Sequence, residues 1–229
     1  MSNQYEWSYD NKKYTHDDTA PIGCDDCASC SSCCKKMGDT ILQDPYDLWN
    51  FCSNMKVSGG MAVTFDILVS EDGPWELSYQ DGVILPNIKM VEDGRCPFLN
   101  EKGRCYIHPI RSGLCRLFPL GRGFEDGKVI YYVLNDELGC EKKDNPRTPV
   151  NIKEWLGIKD IDRYEEFQSK WYKIRDDLRN RHDLCDEKTF KDLQMRLLEL
   201  FYQKPYDKDF FWDFDKRVKE WEDSLRNIV

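Results

Sequence analysis

The sequence predicts an α+β protein in which a cysteine-rich domain with a short antiparallel sheet is followed by an all-helical part. Three observations carry that expectation. Alternating apolar and β-branched residues run through 62–90 and return at 128–134. Beyond Pro149, apolar residues recur instead at three- and four-residue steps, and Gly157 is the only glycine left. Ahead of both stretches, five cysteines fall within positions 24–34, a run with no large apolar side chain to fold around. The expected organisation is an N-terminal extension at 1–23, a cysteine-cluster domain at 24–149 and a C-terminal helical region at 150–229.

In the extension, Tyr5, Trp7 and Tyr9 alternate with polar residues, as in a short edge strand or a tail lying on the domain. Asp44 then offers an N-cap and Pro45 a first-turn proline. Leu48, Phe51, Cys52 and Met55 follow at helical steps, predicting a helix to about Lys56 that Ser58-Gly59-Gly60 ends. Val63, Phe65, Ile67 and Val69 predict a strand, Glu71 to Pro74 a break, and Trp75–Tyr79 and Val83–Met90 two further strands joined at Gln80-Asp81-Gly82. Residues 94–122 read as turns, and Lys128–Leu134 as the last strand.

The C-terminal region carries three apolar stripes. The first is Ile161, Tyr164, Phe167 or Gln168, Trp171, Ile174 and Leu178; the second is Phe190, Leu193, Leu197 and Leu200 or Phe201; the third is Phe210 or Phe211, Phe214, Val218, Trp221 and Leu225. Their aromatic members, with Tyr172 and Trp212, could dock a protein partner, but such stripes more often form an internal core. The charges around them read as solvated helix faces.

Composition narrows the function classes. Of 229 residues, 33 are Lys or Arg and 42 Asp or Glu, so the net charge of -9 argues against an unaided grip on nucleic-acid phosphates. No apolar run reaches the ~18 residues of a membrane span. The first residues lack the basic start and apolar segment of a signal peptide, so a cytoplasmic location is expected, where disulfides are rare. The 11 cysteines, an odd number, then need another occupation.

Metal is the reading that best accounts for them. A Cys-x-x-Cys pair turns two thiolates toward one ion, and zinc or iron takes four such donors. Cys24, Cys27, Cys30 and Cys33 step by three with Cys34 appended, and Cys96, Cys105, Cys115 and Cys140 follow in a second turn-rich region. The two groups could build two four-thiolate sites or one multinuclear site, with the β-sheet as the spacer that brings them together, and the metal would staple the domain. Isolated Cys52 and Cys185 read as core packing. Disulfide pairing is disfavoured by the odd count and by the adjacent Cys33 and Cys34, whose ring would be strained. A redox Cys-x-x-Cys lacks its βαβ setting. The run Cys24-x2-Cys27-x2-Cys30-x3-Cys34 has bacterial ferredoxin spacing, yet Lys35 stands where proline is expected and no second copy exists. Zinc and an iron–sulfur cluster both remain open.

Taken as strings, CASCSSCC (Cys27, Cys30, Cys33, Cys34), GRCPFLNEKGRCYIHPIRSGLCRLFPL (Cys96, Cys105, Cys115) and the later Cys140 resemble the YkgJ-type cysteine-cluster family with its CxxCxxCC hallmark. The resemblance covers about residues 24–140 and also takes in Pro97, Phe98, Leu99, Arg111, Arg116, Phe118 and Pro119 in order. It implies a zinc- or iron-chelating domain whose ligands are the eight matching cysteines, with Cys24 extra. Ser112 stands where the family usually has proline, and His108 near a position that is often tyrosine; a hydrogen-bonding role suits His108 better than ligation, since eight thiolates suffice. The family is similar to the cysteine-rich part of flagellin lysine-N-methylases, which implies a methyl-transfer enzyme as an alternative. No G-x-G-x-x-G unit, P-loop or Ser-His-Asp candidate accompanies it. Arg95, Arg104, Arg111, Arg116 and Arg122 lie among the later cysteines; Arg111 and Arg116 are the best placed to offset thiolate charge or bind an anionic group, the others reading as surface arginines.

Overall fold

The computed structural model describes residues 9–24, 31–35, 37–55, 60–80, 82–135, 147–207 and 209–226. Helices and antiparallel strand pairs alternate along them, an α+β architecture. Tyr5, Trp7, Cys27, Cys30 and Cys140 lie outside the described residues.

Strand β1 (Thr19–Gly23) pairs antiparallel with β6 (Thr148–Asn151), far away in sequence. Ahead of β1, Tyr9 forms a single bridge to Leu134 and Tyr14 one to Tyr131, so the extension lies along a strand of the main body. Helix α1 (Pro45–Met55) starts as the sequence expects. Asp44 Oδ1 accepts the amide of Asp47 at 2.9 Å, and Asp47 Oδ2 accepts the amide of Asp44 at 3.1 Å, a reciprocal capping box built from two carboxylates.

The strand expected over Val63, Phe65, Ile67 and Val69 is instead helix α2 (Gly60–Leu68). Met61, Thr64, Phe65 and Leu68 are buried at three- and four-residue steps, while Val63 and Ile67 face solvent. A second periodicity therefore ran through the same residues, and packing selected it: Phe65 meets Tyr202 with ring centroids 5.6 Å apart, and the Thr64 hydroxyl donates to the Gly60 carbonyl.

Strands β2 (Trp75–Gln80) and β3 (Val83–Ile88) form the expected hairpin, with Trp75 opposite Ile88. Strand β5 (Lys128–Val133) is also where the alternation puts it, but it pairs with β4 (Leu120–Glu125), which the turn-rich reading of 94–122 did not anticipate. Asp126 and Gly127 both take positive φ, 48° and 74°, the two-residue turn whose twist suits a hairpin. Among the described residues the expected short sheet is thus three separate two-stranded pairs.

From Ile152 onward every described element is helical, though residues 150 and 151 still belong to β6. Helix α3 (Gly113–Leu117) precedes β4; α4 (Ile152–Leu156), α5 (Ile161–Arg181), α6 (Glu187–Leu198), a π turn (Glu199–Gln203) and α7 (Phe210–Arg226) follow β6. Asn151 caps α4 by accepting the amide of Glu154, and Gly157 closes it in the left-handed conformation. The stripes become the interior: Trp171, Phe201, Phe210, Phe214 and Trp221 are buried, whereas Trp212 is exposed. One hydrophobic cluster extends from Tyr14 to Leu225, because α5 lies against β3, β5 and α7.

The helical assignment of α2 has a direct test. Replacing buried Phe65 with Ala should cost about 3–5 kcal/mol of unfolding free energy in urea, while Ile67→Ala on the solvent face should change it by less than about 0.5 kcal/mol. A large cost at both positions would restore the strand.

Candidate metal centre

The early and late cysteine segments are stitched together by backbone. A 3-10 turn (Ser32–Cys34) carries Cys33 and Cys34. The amide of Cys96 donates to the Cys34 carbonyl at 2.8 Å, and Lys35 bridges to Arg95 beside it. Cys96 opens a turn in which Leu99 donates back to its carbonyl, and Leu99 in turn bridges to Cys105. Asn100 Oδ1 fixes that loop by accepting the amides of Lys102 and Arg104. Cys115 sits on α3, whose first amide, Gly113, donates to Asp47 Oδ1 at 2.7 Å. Through Asp47 the helix bearing Cys115 is thus joined to the cap of α1.

These connections place Cys33, Cys34, Cys96, Cys105 and Cys115 on the wall of one cavity of about 730 Å³. Cys24, at the end of β1, lines it as well. Sequence reasoning had set Cys24 aside, although its place in the cysteine run already pointed here. Cys52 packs half-buried against the core from α1, and Cys185 donates to the Arg181 carbonyl at 3.1 Å after α5; neither reaches the cavity. Cys34, Cys52, Cys96, Cys115 and Cys185 are free thiols.

Their electrostatics differ by position. Burial pushes Cys96 up to about 11, and the nearby Cys34 and Cys105 add to it. Burial likewise pushes Cys115 up to about 12, and the nearby Cys96, Cys34 and Asp47 add to it. Cys34 moves down to about 7, first through its hydrogen bond with Cys33 and then through the charges of Arg111 and Lys35. The sulfurs from the two segments therefore lie within electrostatic reach of one another.

The donor set suits a soft or borderline ion, since sulfur dominates it. Among the described residues, no three His, Cys, Asp or Glu side chains converge on one point as a ready metal group. Three of the eight predicted ligands, Cys27, Cys30 and Cys140, lie outside those residues. The fit is one of donor chemistry rather than of finished coordination.

The arginines divide. Arg111 lines the cavity beside Cys34, its Nη1 against His108 Nε2. Arg116 does not line it. Its guanidinium donates to the carbonyls of Pro109 at 2.6 Å, Arg111 at 3.0 Å and Leu156 at 3.4 Å, holding the loop that carries Arg111 against the end of α4. Arg95 pairs with Asp93 at the surface, and Arg104 and Arg122 also line the cavity.

A thiol-lined cavity on an α+β scaffold, built from two cysteine segments, is the arrangement of a cysteine-cluster protein. The chain belongs to the CxxCxxCC family, described as a putative zinc- or iron-chelating domain, whose model matches residues 26–140. No curated protein and no solved structure matches the chain. The matched span ends before β6, so the strand that pairs with β1 and the helices α4–α7 lie outside it.

Gly113 is where the mount of Cys115 is most sensitive. A Cβ there would meet the Tyr164 hydroxyl at 2.3 Å. Gly113→Ala should cost about 1–3 kcal/mol by overpacking, and adding Tyr164→Phe should return part of that cost as a favourable coupling energy in a double-mutant cycle. Strictly additive losses in thermal melts would show that the clash is not the cause.

Proposed function

We propose that the chain is a metal-binding protein that holds zinc or an iron–sulfur cluster through the thiolates of Cys27, Cys30, Cys33, Cys34, Cys96, Cys105, Cys115 and Cys140, in a redox or metal-handling role. The observation that carries this reading is the gathering of six described cysteines, from chain segments some 60 residues or more apart, onto one cavity wall. The family's description supports the same chemistry. Bound metal would close the loops that carry these cysteines and, for a cluster, supply electron transfer; for zinc, a structural or Lewis-acid centre.

The residues around the sulfurs have definable parts in this. Four thiolates around a zinc ion leave a site of charge -2, and the guanidinium of Arg111 beside Cys34 offsets it. Arg116 acts at one remove by fixing the Pro109–Arg111 backbone. No helix among the described residues is long and apolar enough to cross a membrane, and the free thiols of Cys34, Cys96 and Cys115 fit the reducing cytoplasm we propose as the location.

Anaerobic purification with elemental and sulfide analysis tests the reading. Brown protein with iron and sulfide identifies a cluster, colourless protein with zinc identifies the other centre, and folded protein with neither rejects both. Cys34→Ser and Cys96→Ser should each lower bound metal by at least half, whereas Cys185→Ser should leave it unchanged. Removing the metal with a chelator should lower the melting temperature, because metal binding adds to folding free energy.

A further inference from the structure

The same cavity has a second group of polar side chains, two guanidiniums with few hydrogen-bond acceptors in the protein. Arg122 on β4 and Arg175 on α5 both line it and lie close enough to perturb each other. Each guanidinium has five N–H donors. Among the described residues Arg122 makes one long hydrogen bond, to Tyr164 Oη at 3.5 Å, and Arg175 makes none, its buried Nε lacking any acceptor. The one carboxylate facing both is Asp44, and it is already engaged: Oδ1 accepts the Asp47 amide and Oδ2 accepts Gln168 Nε2 at 2.6 Å. Both arginines are half-buried, and guanidinium donors that face a cavity rather than a protein acceptor are open to an anionic acceptor there. Next to them the wall is apolar, formed by Leu85 and Ile88 from β3, Leu120 from β4 and Trp171 from α5. The volume of about 730 Å³ lies in the usual range for small-molecule sites.

We propose that this cavity binds a small amphiphilic organic anion, its carboxylate or phosphate head held by Arg122 and Arg175 and its apolar body lying along Leu85, Ile88, Leu120 and Trp171. The planar forks of two arginines match the paired oxygens of such a head. The inference stands apart from the metal reading, since the thiolates take no part in it.

Isothermal titration of the full-length, metal-containing protein as purified tests it, with octanoate, octyl phosphate and neutral 1-octanol as probes. Binding of octanoate or octyl phosphate near one per chain, at least tenfold tighter than 1-octanol, is expected; whichever anion binds more tightly identifies the head. Arg175→Gln and Arg122→Gln should each weaken anion binding tenfold or more, and Arg175→Lys should retain part of it. Metal content measured on the same samples should stay at the wild-type level, so a failed metal centre and a failed anion site are told apart. Equal affinity for 1-octanol, no binding of either anion, or undiminished binding by folded Arg175→Gln overturns the proposal. If the glutamine variants do not fold, the wild-type comparison of anions with alcohol decides it alone.

Discussion

Two buried carboxylates, Asp44 and Asp47, hold the cysteine-bearing half of the molecule to its helical half. They cap each other's amides at the start of α1, and their remaining oxygens reach outward: Asp47 to the amide of Gly113 on α3, Asp44 to Gln168 on α5. Burial raises the pKa of both, and for Asp47 the charge of Asp44 adds to it, while backbone amides, Gln168 and nearby guanidiniums act against the rise. The segment just before them is tied in as densely. Gln43 donates its amide to Pro86 and accepts at its carbonyl from Tyr202, while Ile41 accepts the amide of Ile88. Residues 41–47 thus touch β3, α3, α5 and the π turn together.

That hub fixes where the sulfurs can be. Cys115 rides on the helix whose first amide Asp47 holds, and Cys34 lies only a few residues before the hub, bonded through its carbonyl to Cys96. The β2–β3 hairpin lies between the two cysteine segments in sequence, and β3 docks on residues 41–43, so the chain leaves and returns to the same place. The cavity follows from this return: loops carrying small, soft side chains meet over a framework that supplies its apolar side. Arg111 is delivered to the same wall by the loop that Arg116 grips.

What the sequence revealed depended on how local each cause was. The start of α1 was legible because Asp44 and Pro45 act within one turn, and α5 and α7 because their stripes are long and buried on one side only. Strand β5 was legible from its alternation. Helix α2 was not, since Val63, Phe65 and Ile67 satisfy a period of two while Met61, Thr64, Phe65 and Leu68 satisfy the helical period, and only contact with Tyr202 decides between them. Pairing of β1 with β6 joins segments more than 120 residues apart through short strands holding Pro21 and Pro149, which no local rule anticipates. Within the cavity, the cysteines announced themselves by spacing, but Arg175 looked like any charged residue on a helix, because its place on the cavity wall near Arg122 is a tertiary fact.

The distribution of packing also narrows what a metal would have to stabilise. A metal that staples the domain implies that residues 24–140 would be largely disordered without it. Yet Leu48, Phe65, Trp75, Val83, Leu85, Ile88, Leu120 and Tyr131 from that span are nearly fully buried and join the same cluster as the C-terminal helices. Burial of side chains of this kind is worth roughly 1.5–3 kcal/mol each before entropy is counted. The loops that carry the thiols contribute far less: Cys96 and Leu99 are at the margin of burial, and Cys24, Cys33 and Cys105 are only partly covered. Apolar packing therefore accounts for the framework, and the energetic leverage of a metal falls on the cysteine loops, the part of the molecule with the fewest other reasons to keep one arrangement.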